Sequence, residues 1–174
     1  MAGFPVAMKV VGPVHKSDVG GVVLGVADED TLKKEFNRMM DIPETVGILV
    51  QPMISGTEVF IGAKREGGFG ALVMCGLGGI FVEAIKDVST GLAPFSTEYA
   101  NGMIKKLRGY GIIKGLRGKE GVNEHIFAEM VSRVSTLCHC FPQIKEMDIN
   151  PLLGNSVNLI AVDARIRIDK GYEK

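Results

Sequence analysis

Two clusters in the last third of this chain put oxygen ligands near one another: Glu146-Met147-Asp148-Ile149-Asn150-Pro151 and Val162-Asp163-Ala164-Arg165. Asn150 and Asp163 lie 13 positions apart, each at the edge of an apolar run. Two strands joined across Gly154-Asn155-Ser156 would bring both side chains to one end of a sheet. An amide oxygen beside a carboxylate makes a hard-oxygen site, the set Mg²⁺ prefers when nucleotide phosphates complete its shell. Asp148 precedes Asn150 by two residues, so on a strand it points to the same face. Two acids and an amide on one face are costly to bury without a cation or donor among them. The plain alternative is a turn-capping Asn and a surface Asp.

The N-terminal part supplies groups suited to phosphate. Lys9 interrupts the apolar run Val6-Ala7-Met8-Lys9-Val10-Val11. It is either an edge lysine snorkelling to water or a point charge held on a rigid strand and aimed at a phosphate oxygen. His15-Lys16-Ser17-Asp18-Val19-Gly20-Gly21 is the densest polar stretch. It reads as a solvated loop or as a loop that handles phosphate. Neutral imidazole is a nucleophile at pH 7, and phosphohistidine is a workable covalent intermediate. His125 and His139 fall in a long helical pattern as packing or surface residues. Cys75, Cys138 and Cys140 lack a second ligand pair at zinc spacing and read as buried structural thiols in a reducing, cytoplasmic compartment. Gly76-Leu77-Gly78-Gly79 fits neither a dinucleotide fingerprint nor a P-loop. Glu83, just beyond it, either faces a site or is solvated.

These residues must be carried by strands and helices in a mixed order. The spacing predicts strands at 5–12, Val22–Val26 and Val46–Val50, with a helix from an Asp28 cap to Met40. Gln51-Pro52-Met53 then breaks the chain, giving a first lobe over 1–52 and a second over 53–174. The second opens with strands at 57–65 and 69–74 around Glu66-Gly67-Gly68, then a glycine loop at 76–79 and a strand at Phe81–Val88. Helices follow at Thr97–Leu107 and Val122–Cys140, the latter burying Ile126, Phe127, Met130, Val131, Val134 and Leu137. Strands return at 144–149 and 157–168. The fold class is α/β, of mixed α+β pattern, without regular strand–helix alternation. At 174 residues and 46% hydrophobic, the chain can bury one real core or two small ones. Twenty Lys and Arg against twenty Asp and Glu leave no nucleic-acid footprint, and no apolar run reaches membrane length. Partners are therefore neither nucleic acid nor membrane. The first strand begins almost at residue 1, so part of the first lobe is expected to lie on residues outside this sequence.

With these stretches in view, the chain resembles the ATP-grasp domain of ADP-forming acetyl-CoA (acyl-CoA) synthetases, the nucleotide-binding β component. It is similar, more distantly, to the β subunit of succinyl-CoA ligase. The resemblance rests on Pro5-Val6-Ala7-Met8-Lys9-Val10, the His15 block, Gln51-Pro52-Met53 with Gly56-Thr57-Glu58, Phe69 to Gly79, Gly115-Leu116-Arg117-Gly118 and Asp148-Ile149-Asn150-Pro151-Leu152-Leu153. It implies a two-lobed ATP-grasp fold with an incomplete first lobe. It implies a Lys9 contact to nucleotide phosphates, an adenine-reading hinge at Gln51 to Met53, and a nucleotide-side acid at Glu58. Asn150 and Asp163 match Mg²⁺ ligands. His15 matches a second phosphate carrier, and Asp148 an acid that steadies a phosphohistidine arriving from elsewhere. The implied activity is phosphoryl exchange among acyl-CoA, ADP and phosphate, with ATP, ADP and Mg²⁺ as cofactors. The implied partner is a CoA-binding and ligase domain or subunit carrying the main phosphohistidine, and the isolated chain is expected to be inactive. The alternative is a non-catalytic, synthetase-like regulatory module of a larger acyltransferase.

Overall fold

The computed structural model describes residues 3–12, 19–79, 87–116, 118 and 120–171. Backbone contacts divide the chain into two compact units, Met1–Ile54 and Ser55–Lys174. In the first, β1 (Val6–Val11) is the middle strand of an antiparallel sheet, between β2 (Val22–Val26) and β3 (Gly47–Pro52). Alternation along β1 sorts its faces. Val6, Met8 and Val10 join Val26 and Met39 in the core, with Leu32 packed against them from α1 (Glu29–Met40). That helix starts where Asp28 Oδ1 accepts from the Thr31 N–H at 2.8 Å. The bond satisfies one of the orphan amides of the first turn and is worth about 1 kcal/mol. Met39 is fully buried, whereas Phe36 and Met40 lie on the exposed side of the helix.

The second unit is built on one six-stranded antiparallel sheet. β4 (Thr57–Glu66) and β5 (Gly70–Leu77) form a hairpin, β6 (Val88–Leu92) pairs with β5, and β7 (Ile144–Gly154) pairs with β4. The far edge of β7 carries β8 (Leu159–Ala161) and then β9 (Ala164–Ile168). Helices α2 (Thr97–Lys105), α3 (Tyr110–Lys114) and α4 (Glu124–Cys140) supply Ile104, Ile113, Phe127 and Val131 to a core over Val59, Ile61, Val73, Cys75, Met147 and Leu152. Burying Phe127 alone contributes roughly 1.5–3 kcal/mol. Among the described residues no helix is long and apolar enough to cross a membrane.

Several elements differ from the sequence reading. Gly76-Leu77 belongs to β5 rather than to a loop, because both pair with β4. The strand expected at 144–149 continues to Gly154, and the one expected at 157–168 is interrupted at Val162-Asp163. Pro151 has no N–H to give its neighbour there. In α4 the buried stripe is Phe127, Ala128, Val131, Val134, Ser135 and Cys138, while Leu137 is exposed. Small residues win because the chain before α2 approaches closely: Ser132 and Ser135 both bond the Phe95 backbone. Cys75 and Cys138 are buried, but Cys140 is exposed at the helix end. The strand expected over Phe81–Val88 lies outside the described residues except at Asp87 and Val88.

Candidate functional site

The helices cover one face of the larger sheet, and the expected site residues of this unit occupy the other. On β4, Val59, Ile61 and Ala63 are core, so Glu58, Phe60, Gly62 and Lys64 point away from the helices. On β7 the same division puts Met147 and Leu152 in the core and Asp148 on the outer face. Pairing with β9 then fixes two cross-strand pairs on this face. Glu146 lies opposite Arg167 and Asp148 opposite Arg165. Asn150, donating its backbone N–H to the Asp163 carbonyl at 3.2 Å, continues that register opposite Asp163. Directly opposite residues share a face, with Cβ atoms roughly 4.5–5.5 Å apart. That backbone bond sets Asn150 and Asp163 side by side, in mid-strand on β7 and at the break between β8 and β9, not at the end of a sheet.

A bulge sits at the same point. The β4–β7 register shifts between Val59–Leu152 and Ile61–Ile149, so Asn150 and Pro151 together face Phe60 alone. Proline cannot donate to a ladder, and a bulge is where a sheet tolerates it. The extra residue re-aims the strand at Asn150. Asp163 Oδ1 also accepts from the Ala164 N–H at 3.1 Å, which orients its carboxylate.

Charge on this face is uneven. Glu146 is held by Arg167 through Nε at 3.2 Å and Nη2 at 2.9 Å. Asp148 is flanked by Gly62 on β4 and Arg165 on β9. Burial pushes the Asp148 carboxyl above the ordinary carboxylate range, the Arg165 guanidinium pulls it back, and the Asp163 and Glu146 carboxylates push it up further. No three His, Cys, Asp or Glu side chains converge as a metal cluster among the described residues. Asn150 and Asp163 could instead supply a two-ligand oxygen set. Such a set fits Mg²⁺, which keeps several positions for water and phosphate and takes few protein ligands.

Glu58 stands at the same end of β4 as a cavity of about 760 Å³ in this unit. Its carbonyl accepts from the Gly78 N–H at 2.8 Å, and its carboxylate lies against Gly79, which adopts φ +59°. The cavity is lined by Gly56, Glu58, Leu77, Ile112, Leu116 and Glu120, among others. Sequence reasoning missed it, since its walls come from five separate stretches with no shared spacing.

In the smaller unit, Lys9 is buried on the middle strand of its sheet, which excludes the edge-lysine reading. It faces Val22 and Leu49 across the ladders, and Gln51 faces Ala7. Lys9 and Gln51 thus share the face turned away from α1. Met53 is exposed beyond β3, its N–H donating to the Pro5 carbonyl at 3.3 Å. His15 lies outside the described residues.

Comparison with known proteins fits this architecture. A family model described as an ATP-grasp domain matches residues 1–168. The chain is 40% identical to the β subunit of acetate–CoA ligase (ADP-forming) I of Pyrococcus furiosus, over 94% of this chain and 75% of that subunit. It is 39% identical to acetate–CoA ligase (ADP-forming) I of Archaeoglobus fulgidus, over 94% of this chain but only 25% of that longer protein. Among solved structures, the dinucleotide-forming acetyl-coenzyme A synthetase 1 of Ca. Korarchaeum cryptofilum, in complex with coenzyme A and Ca-AMPCP, superposes with a TM-score of 0.90 at 39% identity. That match covers 96% of this chain and 77% of the other. The two-unit, mixed α+β structure is thus an ATP-grasp fold, and the chain belongs to the ATP-grasp family, on the branch of the ADP-forming acetate–CoA ligase β subunits.

Proposed function

We propose that this chain is the nucleotide-binding half of an ADP-forming acyl-CoA synthetase, in which acyl-CoA, phosphate and ADP become acid, CoA and ATP. The observation that carries the reading is the Asn150–Asp163 pair, opposite across the β7 edge with Asp148 on the same face. A solved relative holds coenzyme A and Mg-AMPPCP, with a phosphohistidine segment pointing towards its nucleotide site. In this chain Asn150 and Asp163 would hold Mg²⁺, which supplies positive charge to phosphate oxygens. Asp148 would accept a hydrogen bond from the incoming histidine ring and hold its tautomer. Lys9 would bind nucleotide phosphate, Gln51 and Met53 would border the adenine, and Glu58 would sit on the nucleotide side. The partner is a CoA-binding and ligase domain or subunit that carries the phosphohistidine.

The test uses the assembled synthetase. Asp163→Asn and Asn150→Ala should each slow label transfer from [γ-³²P]ATP to the partner histidine by roughly 100-fold or more, the scale for removing charge stabilisation at a reacting centre. Unfolding midpoints should remain near that of the unaltered protein. Full transfer in either variant would remove the metal pair from the mechanism.

A further inference from the structure

Arg165 stands apart from the other charges on the outer face. Three rows lie around Asp148 there. The first is Lys64, Glu146 and Arg167, directly opposite one another on β4, β7 and β9. Its charges are spent internally: Arg167 bonds Glu146, and Lys64 pairs with Glu66 at 2.9 Å. The second row is Gly62, Asp148 and Arg165. Here glycine replaces the β4 cation, and a Cβ at Gly62 would come within 3.3 Å of the Met74 methyl. The third row is Phe60, Asn150 and Asp163, the oxygen pair itself.

Arg165 is thus the cation of the middle row, two residues along the strand from Asp163 and opposite Asp148. Among the described residues its side chain forms no hydrogen bond or ion pair, although its charge acts on Asp148. Its neighbour Arg167, on the same face, is bonded to Glu146. The difference is informative. A phosphoryl group that arrives beside Asp148 brings two negative charges to a carboxylate, with Asp163 close by. An ion held by Asn150 and Asp163 would balance one end of that assembly, and the end at Asp148 would need a cation of its own. A guanidinium matches phosphoryl oxygens with a planar fork of donors, which a hydrated ammonium does not.

We propose that Arg165 is a catalytic residue that binds the phosphoryl group in transit, its guanidinium donating to two of the group's equatorial oxygens beside Asp148. This rests on the synthetase reading above and adds a residue to it. In the ATP-forming direction, the P–N bond of the partner's phosphohistidine breaks and its electron pair stays on the ring nitrogen. A lone pair of the ADP β-phosphate oxygen forms the new P–O bond. The ring leaves neutral because its other nitrogen carries a proton, which Asp148 holds in a hydrogen bond. Arg165 takes no part in proton transfer. It keeps two donors on the phosphoryl oxygens while charge passes from nitrogen to oxygen.

The experiment compares Arg165→Ala, Arg165→Lys and Arg167→Ala in the assembled synthetase. It follows single-turnover transfer from ³²P-phosphohistidine to ADP, with Mg–ADP affinity and thermal unfolding in parallel. Arg165→Ala should slow transfer by roughly 100-fold or more. Mg–ADP affinity should change less than about 3-fold, since ADP lacks the transferred group. Arg165→Lys should recover only part of the rate, and free guanidinium ion at millimolar concentration should speed the alanine variant but not the unaltered enzyme. Arg167→Ala should transfer at close to the unaltered rate. Transfer by Arg165→Ala within about 3-fold of normal, or loss without guanidinium rescue, overturns the assignment. An unaltered enzyme that binds Mg–ADP but exchanges no phosphoryl group overturns the synthetase reading, and this inference with it.

Discussion

Glu58 and Gly79 offer a direct measurement of how the Glu58 carboxylate is seated. Gly79 has φ +59°, and a Cβ there would collide with Glu58 Oε2 and lie 3.0 Å from its Cδ. Gly79→Ala therefore meets two separate costs. The left-handed backbone costs an L residue about 1–2 kcal/mol. Turning the Glu58 tip out of its seat costs a further 0.5–1.5 kcal/mol or so, the scale of an unfavourable side-chain rotation. The second cost is limited, because Glu58 is exposed and can rotate into water. Glu58→Ala alone removes an exposed side chain outside the core, and its effect should stay within about 0.5 kcal/mol. The Gly78 N–H bond to the Glu58 carbonyl survives that change. In the double variant only the backbone cost remains. Urea unfolding of the four proteins should thus give a coupling of roughly 0.5–1.5 kcal/mol, in the sense that Glu58→Ala relieves Gly79→Ala. Additivity to within about 0.3 kcal/mol would refute the reasoning, since it would mean the carboxylate does not rest on the glycine.

Two further outcomes follow from packing. A Cβ at Gly56 would meet the Gly154 backbone, 2.5 Å from its O and 2.9 Å from its N, whereas one at Gly154 would meet the side-chain ends of Leu159 and Val122 at 2.8 Å. Gly56→Ala should cost about 2–3 kcal/mol and Gly154→Ala about 1 kcal/mol in urea unfolding, because backbone cannot turn aside; the reverse order would contradict this. Burial pushes the Cys75 thiol up to about 12, so the thiolate that reacts is scarce across the ordinary alkaline range. Iodoacetamide at pH 8–9 should modify exposed Cys140 first and leave Cys75 untouched until the protein is unfolded, as peptide mass analysis would show; early labelling of Cys75 would mean that its strand opens locally.

Much of this fold was legible where the determining signal is local. Asp28 and Asn123 announce α1 and α4, because a capping side chain acts only three residues away: Asn123 Oδ1 accepts from the Ile126 N–H at 3.1 Å. The β4–β5 hairpin was visible in its glycines. Asp148 and Asn150 share a face by simple alternation. What escaped was set by strand order and close approach. Lys9 read equally as an edge or a central residue, since nothing in six residues says which neighbours a strand acquires. The stripe of α4 was misjudged at Leu137 because hydrophobicity alone prefers leucine to Ala128 and Ser135. The packed chain prefers the small residues, which let Phe95 come near. Asp163 was placed in a continuous strand because the interruption originates in Pro151, on the strand opposite. Arg165 stood in the quoted cluster, but only the cross-strand register gives it a neighbour.

The register held along the outer edge of β7 from Glu146 to Gly154 also governs which changes of length this domain can absorb. The turn between β7 and β8 is closed by its own bonds, with Asn155 Oδ1 accepting from the Val157 and Asn158 N–H groups at 2.9 and 2.8 Å. Residues added there can loop out while both strands stay in step. Between Ala161 and Ala164 no such freedom exists. One inserted residue would slip β9 by a position, and with a side-chain period of two that would turn Ile166 and Ile168 outward in place of Arg165 and Arg167. The oxygen pair would separate in the same step. Natural variation in chain length should therefore gather at 155–158 and be absent at 162–163, a pattern that arises from hydrogen-bond spacing before any selection on chemistry.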